Sequence, residues 1–244
     1  MAFYRNLTNE DRVEDVSIVT SGVFQDGASN ITSFFTSSTQ YTNTGDYSVD
    51  VYRYDPVGNA SASVQFGVAY GHVEGSGSLG TKGATGDRPT AAVYGQFNSL
   101  INPPKTTRFT FGPNTDAKEI YALSFNRARI REELEPGGWE LHLSNGTGKL
   151  IKLIDDSSAT EGGNNNQRNF APEYNIVSGS HVGGTTIQTA AASEDSTMGS
   201  YGTFYPGIGT LVLNPKRLSG APFALVTLSG SNSDDRNPRK LYNT

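Results

Sequence analysis

The sequence predicts an α+β protein that is predominantly antiparallel β, sandwich-like or barrel-like, with one amphipathic helix near residues 90–101 and a short helix near 127–135. Three observations lead there. Apolar residues alternate with small or polar ones over several stretches, the longest running from Ser61 to Val73. The 28 Gly and 11 Pro, set among abundant Ser, Thr and Asn with only 18% charged residues, suit many strands joined by turns. The stretch from Asp116 to Asp156 reads in turn as strand, charged helix and hairpin.

Residues 1–60 form a loop-rich N-terminal segment. Val16 to Val19 is a short strand candidate, and Ser21 to Thr44 is polar except at Phe24, Phe34 and Phe35, so its backbone should be pinned at aromatic points. Tyr47 to Tyr54 alternates and stops at Asp55-Pro56. Residues 61–156 form a β-rich core with two helices. In the run from Ser61 to Val73, Ala62, Val64, Phe66, Val68 and Tyr70 share one face. Ser63, Gln65, Gly67 and Ala69 occupy the other, so another backbone can approach closely there, within the sheet or from a neighbouring chain. Gly75 to Arg88 is a loop. Val93, Phe97, Leu100 and Ile101 then sit at helical spacing after Thr90, a predicted cap, and before Pro103-Pro104.

Thr106 to Phe111 and Lys118 to Phe125 return to strand character. Arg127 to Leu134 consists of helix formers ended by Pro136-Gly137-Gly138, enough for about two turns. Trp139 to Leu143 and Leu150 to Ile154 flank the turn sequence Asn145-Gly146-Thr147-Gly148 as a hairpin, with the single Trp on the side of Leu141 and Leu143 as a core anchor. Residues 157–230, opened by the polar loop Ser157 to Ala171, form a second β-rich part that either stands apart or belongs to the same domain. Its strand candidates are Tyr174–Ser178, Thr185–Thr189, Leu211–Leu213 and Phe223–Leu228. Residues 231–244 make a polar tail, expected to be disordered alone or ordered only by a partner.

A formal net charge of −5 offers no basic face for phosphates, so nucleic acid is not an expected partner. The absence of Cys excludes disulfides, thiolate metal sites and thiol nucleophiles, and leaves the compartment open. Residues 1–12 place Arg and acidic residues where a signal peptide needs an apolar core. No run reaches the ~18 apolar residues of a membrane helix. Synthesis in the cytosol without membrane insertion is therefore expected.

No catalytic constellation emerges. His72, His142 and His181 lack metal-ligand spacing, and Gly75-Ser76-Gly77-Ser78 lacks the lysine of a phosphate loop. The carboxylate pairs Asp155-Asp156 and Asp234-Asp235 could serve glycoside hydrolysis or a metal, but neighbours on a strand point to opposite faces, and acidic pairs commonly end strands as solvated turns. Arg127, Arg129 and Arg131 with Glu132, Glu133 and Glu135 form a mixed-charge surface, either simply solvated or an inter-subunit salt-bridge patch. No catalytic, cofactor or metal residue is assigned; these six are the candidate interaction surface.

The runs from Ser63 to His72, Tyr94-Gly95-Gln96-Phe97 with Leu100, Ile120 to Arg129 and Pro136 to Leu141 resemble virion structural proteins of contractile-tailed cyanobacterial phages. So do Gly199 to Gly209 and Leu211 to Pro215, which extend the resemblance over about residues 60 to 220. It implies a non-enzymatic virion component, found in the tail and most readily a wedge-type baseplate protein, with other tail proteins and copies of itself as partners. On that reading residues 1–60 are an assembly segment. The alternatives are a receptor- or glycan-binding module at the tail periphery, using exposed Tyr and Trp, and a neck or head-to-tail connector. A glycan hydrolase ranks last. No cofactor is expected.

Overall fold

The computed structural model describes residues 19–20, 22–36, 48–75, 89–112, 114–144, 150–157, 172–182, 185–188, 199–220 and 237–244. The expected strand at 223–228, the 145–148 turn, the Asp234-Asp235 pair and most of the two long polar loops lie outside the described residues.

The strands in chain order are β1 (Val19–Thr20), β2 (Phe35–Thr36), β3 (Ser48–Tyr52), β4 (Val64–His72), β5 (Phe109–Phe111), β6 (Asn114–Ala117), β7 (Glu119–Phe125) and β8 (Glu133–Leu134). They continue with β9 (Leu141–Ser144), β10 (Leu150–Asp155), β11 (Tyr174–Val182), β12 (Thr185–Gln188), β13 (Gly202–Tyr205) and β14 (Thr210–Leu213). The helices are α1 (Pro89–Ile101), α2 (Pro215–Ser219) and α3 (Asn237–Tyr242). The antiparallel β class expected from the alternation is the class observed. Ten strands form one large sheet in the order β2-β3-β4-β7-β14-β13-β11-β10-β9, with β12 paired to β11 off this path. Strands from the 1–60, 61–156 and 157–230 stretches thus share a single sheet. Among the described residues it is not a sandwich of two large sheets, and its path does not close into a barrel.

Register explains the core. Phe66, Val68 and Tyr70 of β4 lie opposite Phe125, Leu123 and Tyr121 of β7. Leu123 and Tyr121 oppose Leu211 and Leu213 of β14, and Leu211 opposes Phe204 of β13. Because alternate residues share a face, these side chains form one continuous inner face, extended by Tyr174, Ile176, Leu153, Ile151 and Leu143 into a single buried cluster.

The outer face of β4 is covered by α1. A Cβ on Gly71 would lie 2.9 Å from the Tyr94 amide nitrogen and 3.0 Å from its Cα. The backbone that approaches the small face of this strand is therefore the chain's own helix. Tyr94 fixes that helix by donating to the Ala117 carbonyl (2.5 Å) and accepting from the Phe109 amide (2.9 Å). Val93, Tyr94 and Ile101 are buried and Phe97 half-buried, whereas Leu100 is 63% exposed. The buried stripe thus runs through Tyr94 instead of Leu100. Thr90 lies inside the helix, which starts at Pro89, the residue type favoured at a first helical position, so Thr90 is not the cap.

Two further expectations give way. The helix near 127–135 shrinks to a single 3-10 turn, Arg127–Arg129, closed by the Asn126 side chain accepting from the Ala128 amide (3.1 Å). Ile130 and Leu134 are drawn into the core cluster, and β8 pairs with β1 in parallel, so burial and pairing override the local helix propensity. The C-terminal tail is ordered from residue 237 onward by the chain itself. Helix α3 packs on β3 and β4, and Leu241 enters the core.

Candidate interaction site at the sheet seam

Nine strands follow one another along the pairing path once β12 is set aside, and every ladder on it is antiparallel. Eight reversals bring the last strand back to the direction of the first, so the edge strands β2 and β9 run the same way. The sheet curls until these edges approach each other. Residues 29–34, leading into β2, and residues 138–142, leading into β9, line opposite sides of one cleft of about 600 Å³. Its floor is the inner face, at Phe66, Leu123, Phe125, Phe204 and Leu211.

Aromatic contacts build the walls. Phe34 packs edge-on against Phe66 (6.2 Å between ring centroids), Phe66 meets Phe125 (5.7 Å), and Phe125 meets Phe24 (6.1 Å). The isolated Phe residues of the N-terminal segment therefore pin it to the sheet, as the sequence implies. Across the cleft Trp139 packs edge-on against Phe204 (5.4 Å). Trp139 is half-buried beside the core cluster, and its indole N–H has no acceptor among the described residues.

The C-terminal residues bridge the two edges. The Tyr242 hydroxyl donates to the Phe34 carbonyl (2.9 Å) next to β2, and the Thr244 carbonyl accepts from the Ser144 amide at the end of β9. Beneath α3, the Tyr70 hydroxyl donates to Glu119 (2.8 Å). Burial pushes the Glu119 carboxyl above its ordinary range against the opposing effect of that hydrogen bond. Burial also raises Tyr70 far above its ordinary value, reinforced by the charge of Glu119.

The Asp155-Asp156 pair is structural. Asp155 is fully buried, and its carboxylate accepts the Gly137 amide at both oxygens (3.0 and 2.9 Å) and the Ser157 amide (3.1 Å), tying down the turn that precedes Trp139. Asp156 accepts from the backbone and side-chain nitrogens of Asn175 (2.9 Å each), while burial raises its pKa against those bonds. The two carboxylates thus serve different neighbours. His72 accepts from the Glu74 amide (3.1 Å), and burial lowers its pKa. His142 sits 2.7 Å from Glu140, to which Lys152 also comes within 3.7 Å. No three His, Asp or Glu side chains among the described residues are grouped to hold a metal.

The six charged residues of 127–135 do not share one helical face. Arg127 donates to the carbonyls of Ile130 (3.2 Å) and Glu132 (3.3 Å), and half-buried Arg129 to the Ser63 hydroxyl (2.7 Å), so both brace their own chain. Arg131 and Glu132 are exposed, and Glu133 is half-buried in β8. Glu135 is exposed at the mouth of the cleft with no cation paired to it among the described residues. Sequence reading missed that Phe34 and Leu141 line one cleft, which depends on strand order around the whole sheet.

No protein-family model, curated protein or solved structure matches this chain.

Proposed function

We propose that the chain is a structural subunit of a bacteriophage virion, acting through protein–protein contacts as a wedge-type component of a contractile-tail baseplate. The resemblance over residues 60 to 220 suggests the class. The observation that carries a contact role is the exposed aromatic rim of an apolar cleft: Phe34 and Phe35 are 45% and 37% exposed, and Phe34 lines the cleft. Exposed aromatics beside an apolar cleft favour association with another chain. Purified particles probed with an antibody to this chain should show it in the tail. Absence from virions, or presence only in the head, defeats the reading, and a position at the neck makes it a connector.

A second reading, a glycan-binding module at the tail periphery, is favoured by Trp139 with Asn30 and Glu135 around an aromatic cleft. It requires the isolated chain to bind host-envelope glycans and to lose that binding on Trp139→Ala. Binding that survives the substitution, or none at all, removes it.

A further inference from the structure

We propose that the aromatic cleft docks a compact segment of a neighbouring virion protein, one that carries large apolar side chains beside a Lys or Arg. The apolar side chains rest on the cleft floor, and the basic residue meets Glu135 at the mouth. That the neighbour is a virion protein rests on the reading above; the chemistry of the segment does not.

Charge sets the sign of the occupant. The ionisable side chains that line the cleft are Glu135, Glu140 and His142, with no Lys or Arg among the described residues there. Glu140 has the His142 ring nitrogen at 2.7 Å and the Lys152 ammonium at 3.7 Å, so its charge is already offset. Glu135 is exposed and has no cation among the described residues. A rim of this sign repels carboxylates and phosphates, which sets fatty acids and phospholipid headgroups aside, and it favours a cation.

Unspent polar groups set the class of the occupant. Ser29, Asn30 and Thr32 line the cleft on the side formed by residues 29–34, and their side chains make no hydrogen bond to the described residues. A docking peptide brings backbone N–H and C=O groups that lose water as its side chains are buried, and these groups then need partners. The Asn30 amide and the two hydroxyls can each donate and accept. A hydrocarbon chain would leave all three unused. Below them, Phe66, Leu123, Phe125, Phe204 and Leu211 give an apolar floor, and the cleft volume of about 600 Å³ lies within the roughly 300–1,000 Å³ of pockets that enclose a compact ligand. Apolar anchors buried at the centre and ringed by polar contacts carry most of the energy of protein–protein interfaces. Docking of this kind requires no backbone pairing with β2 or β9. The C-terminal strap, which ties Tyr242 to Phe34 and Thr244 to Ser144, stays in place.

The test presents the purified full chain with synthetic heptapeptides, capped at both ends and free of Trp, in which two Phe or Leu residues flank a Lys, a Gln or a Glu. Binding is read by calorimetry and from the emission of Trp139, the only Trp of the chain, which lines the cleft. Lys peptides should bind roughly fivefold more tightly than Gln peptides, the scale of one exposed charge pair, and Glu peptides more weakly still. Glu135→Gln should erase this order and Glu135→Lys should reverse it; both change an exposed position and should melt as the parent does. No binding by any peptide overturns the proposal, as does equal binding of Lys and Glu peptides or an order that survives in both folded variants. In virions, a photoreactive benzophenone side chain in place of Phe34 should crosslink to an apolar stretch containing Lys or Arg in another protein. A crosslink to an acidic stretch, or none in particles that contain the chain, also overturns it. Absence of the chain from virions by immunoblot defeats the virion reading and the named neighbour, while the peptide order still decides the chemistry of the cleft.

Discussion

Replacing Asp155 separates a structural carboxylate from a chemical one. Its side chain is wholly buried and receives two backbone amides, Gly137 at both oxygens and Ser157 at one. Asp155→Ala strands both donors, the Gly137 amide in a packed turn and the Ser157 amide at a half-buried position that water can partly satisfy. At about 1–3 kcal/mol for a stranded donor, the loss should be roughly 2–4 kcal/mol. For a chain of this length each kcal/mol lowers Tm by about 2–4 °C, so a fall of roughly 4–16 °C is expected. Asp155→Asn keeps one accepting oxygen but turns an amide donor toward Gly137, and should lose about half as much. The assay is thermal and urea unfolding of the purified chain, with Trp139 fluorescence as the local reporter, since it is the only Trp and follows the tethered turn directly. Asp155→Ala should redshift its native emission as the turn loosens. Stability within about 0.5 kcal/mol of the parent, the scale of an inconsequential surface change, would refute the tether. A stable Asp155→Asn variant that lost a measurable activity would point instead to catalysis.

Three other outcomes follow from the packing. Gly71→Ala places a methyl group 2.9 Å from the Tyr94 nitrogen and should destabilise by about 1–3 kcal/mol as α1 is displaced; an unchanged urea midpoint argues against the close approach. Glu119→Gln tests linkage: because burial raises the folded pKa above the ordinary 4.5, the folded state holds the proton more tightly, and stability falls as pH rises from that value through the folded pKa. The variant should therefore melt higher than the parent at pH 7, with the gap closing below pH 4.5, and a gap that does not depend on pH contradicts this. Tyr242→Phe removes the strap's bond to Phe34 and should speed exchange at the Ser144 amide several-fold at a cost of about 0.5–1.5 kcal/mol. Unaltered exchange there means that the strap does not hold the seam.

The sequence made local periodicity legible and left long-range closure hidden. Alternation located β3, β4 and β9, because a strand with one buried face must alternate, and the density of β-branched and aromatic residues located β7. The run from Arg127 to Leu134 misled because its helix propensity amounts to a few tenths of a kcal/mol per residue, less than the burial of Ile130 and Leu134 on the core. The tail misled for a related reason: its polarity hides Leu241, which enters the core, and Tyr242, which packs against it and bonds the Phe34 carbonyl. The cleft was illegible because Phe34, Phe66, Phe125 and Phe204 converge only through the strand order. Glu135 was visible as a charge, but its place at a mouth was not.

Between a protein segment and a sugar as the cleft's ligand, the use already made of the aromatic rings argues for the segment. Sugar stacking needs an open ring face. Trp139 is engaged edge-on with Phe204, Phe34 with Phe66, and Phe125 lies between Phe66 and Phe24, so these rings are largely committed to one another and offer a continuous apolar surface in place of separate platforms. Alternate apolar side chains from an extended segment need only such a surface. A cleft whose rings are spent on one another over an apolar floor therefore favours a protein segment over a glycan.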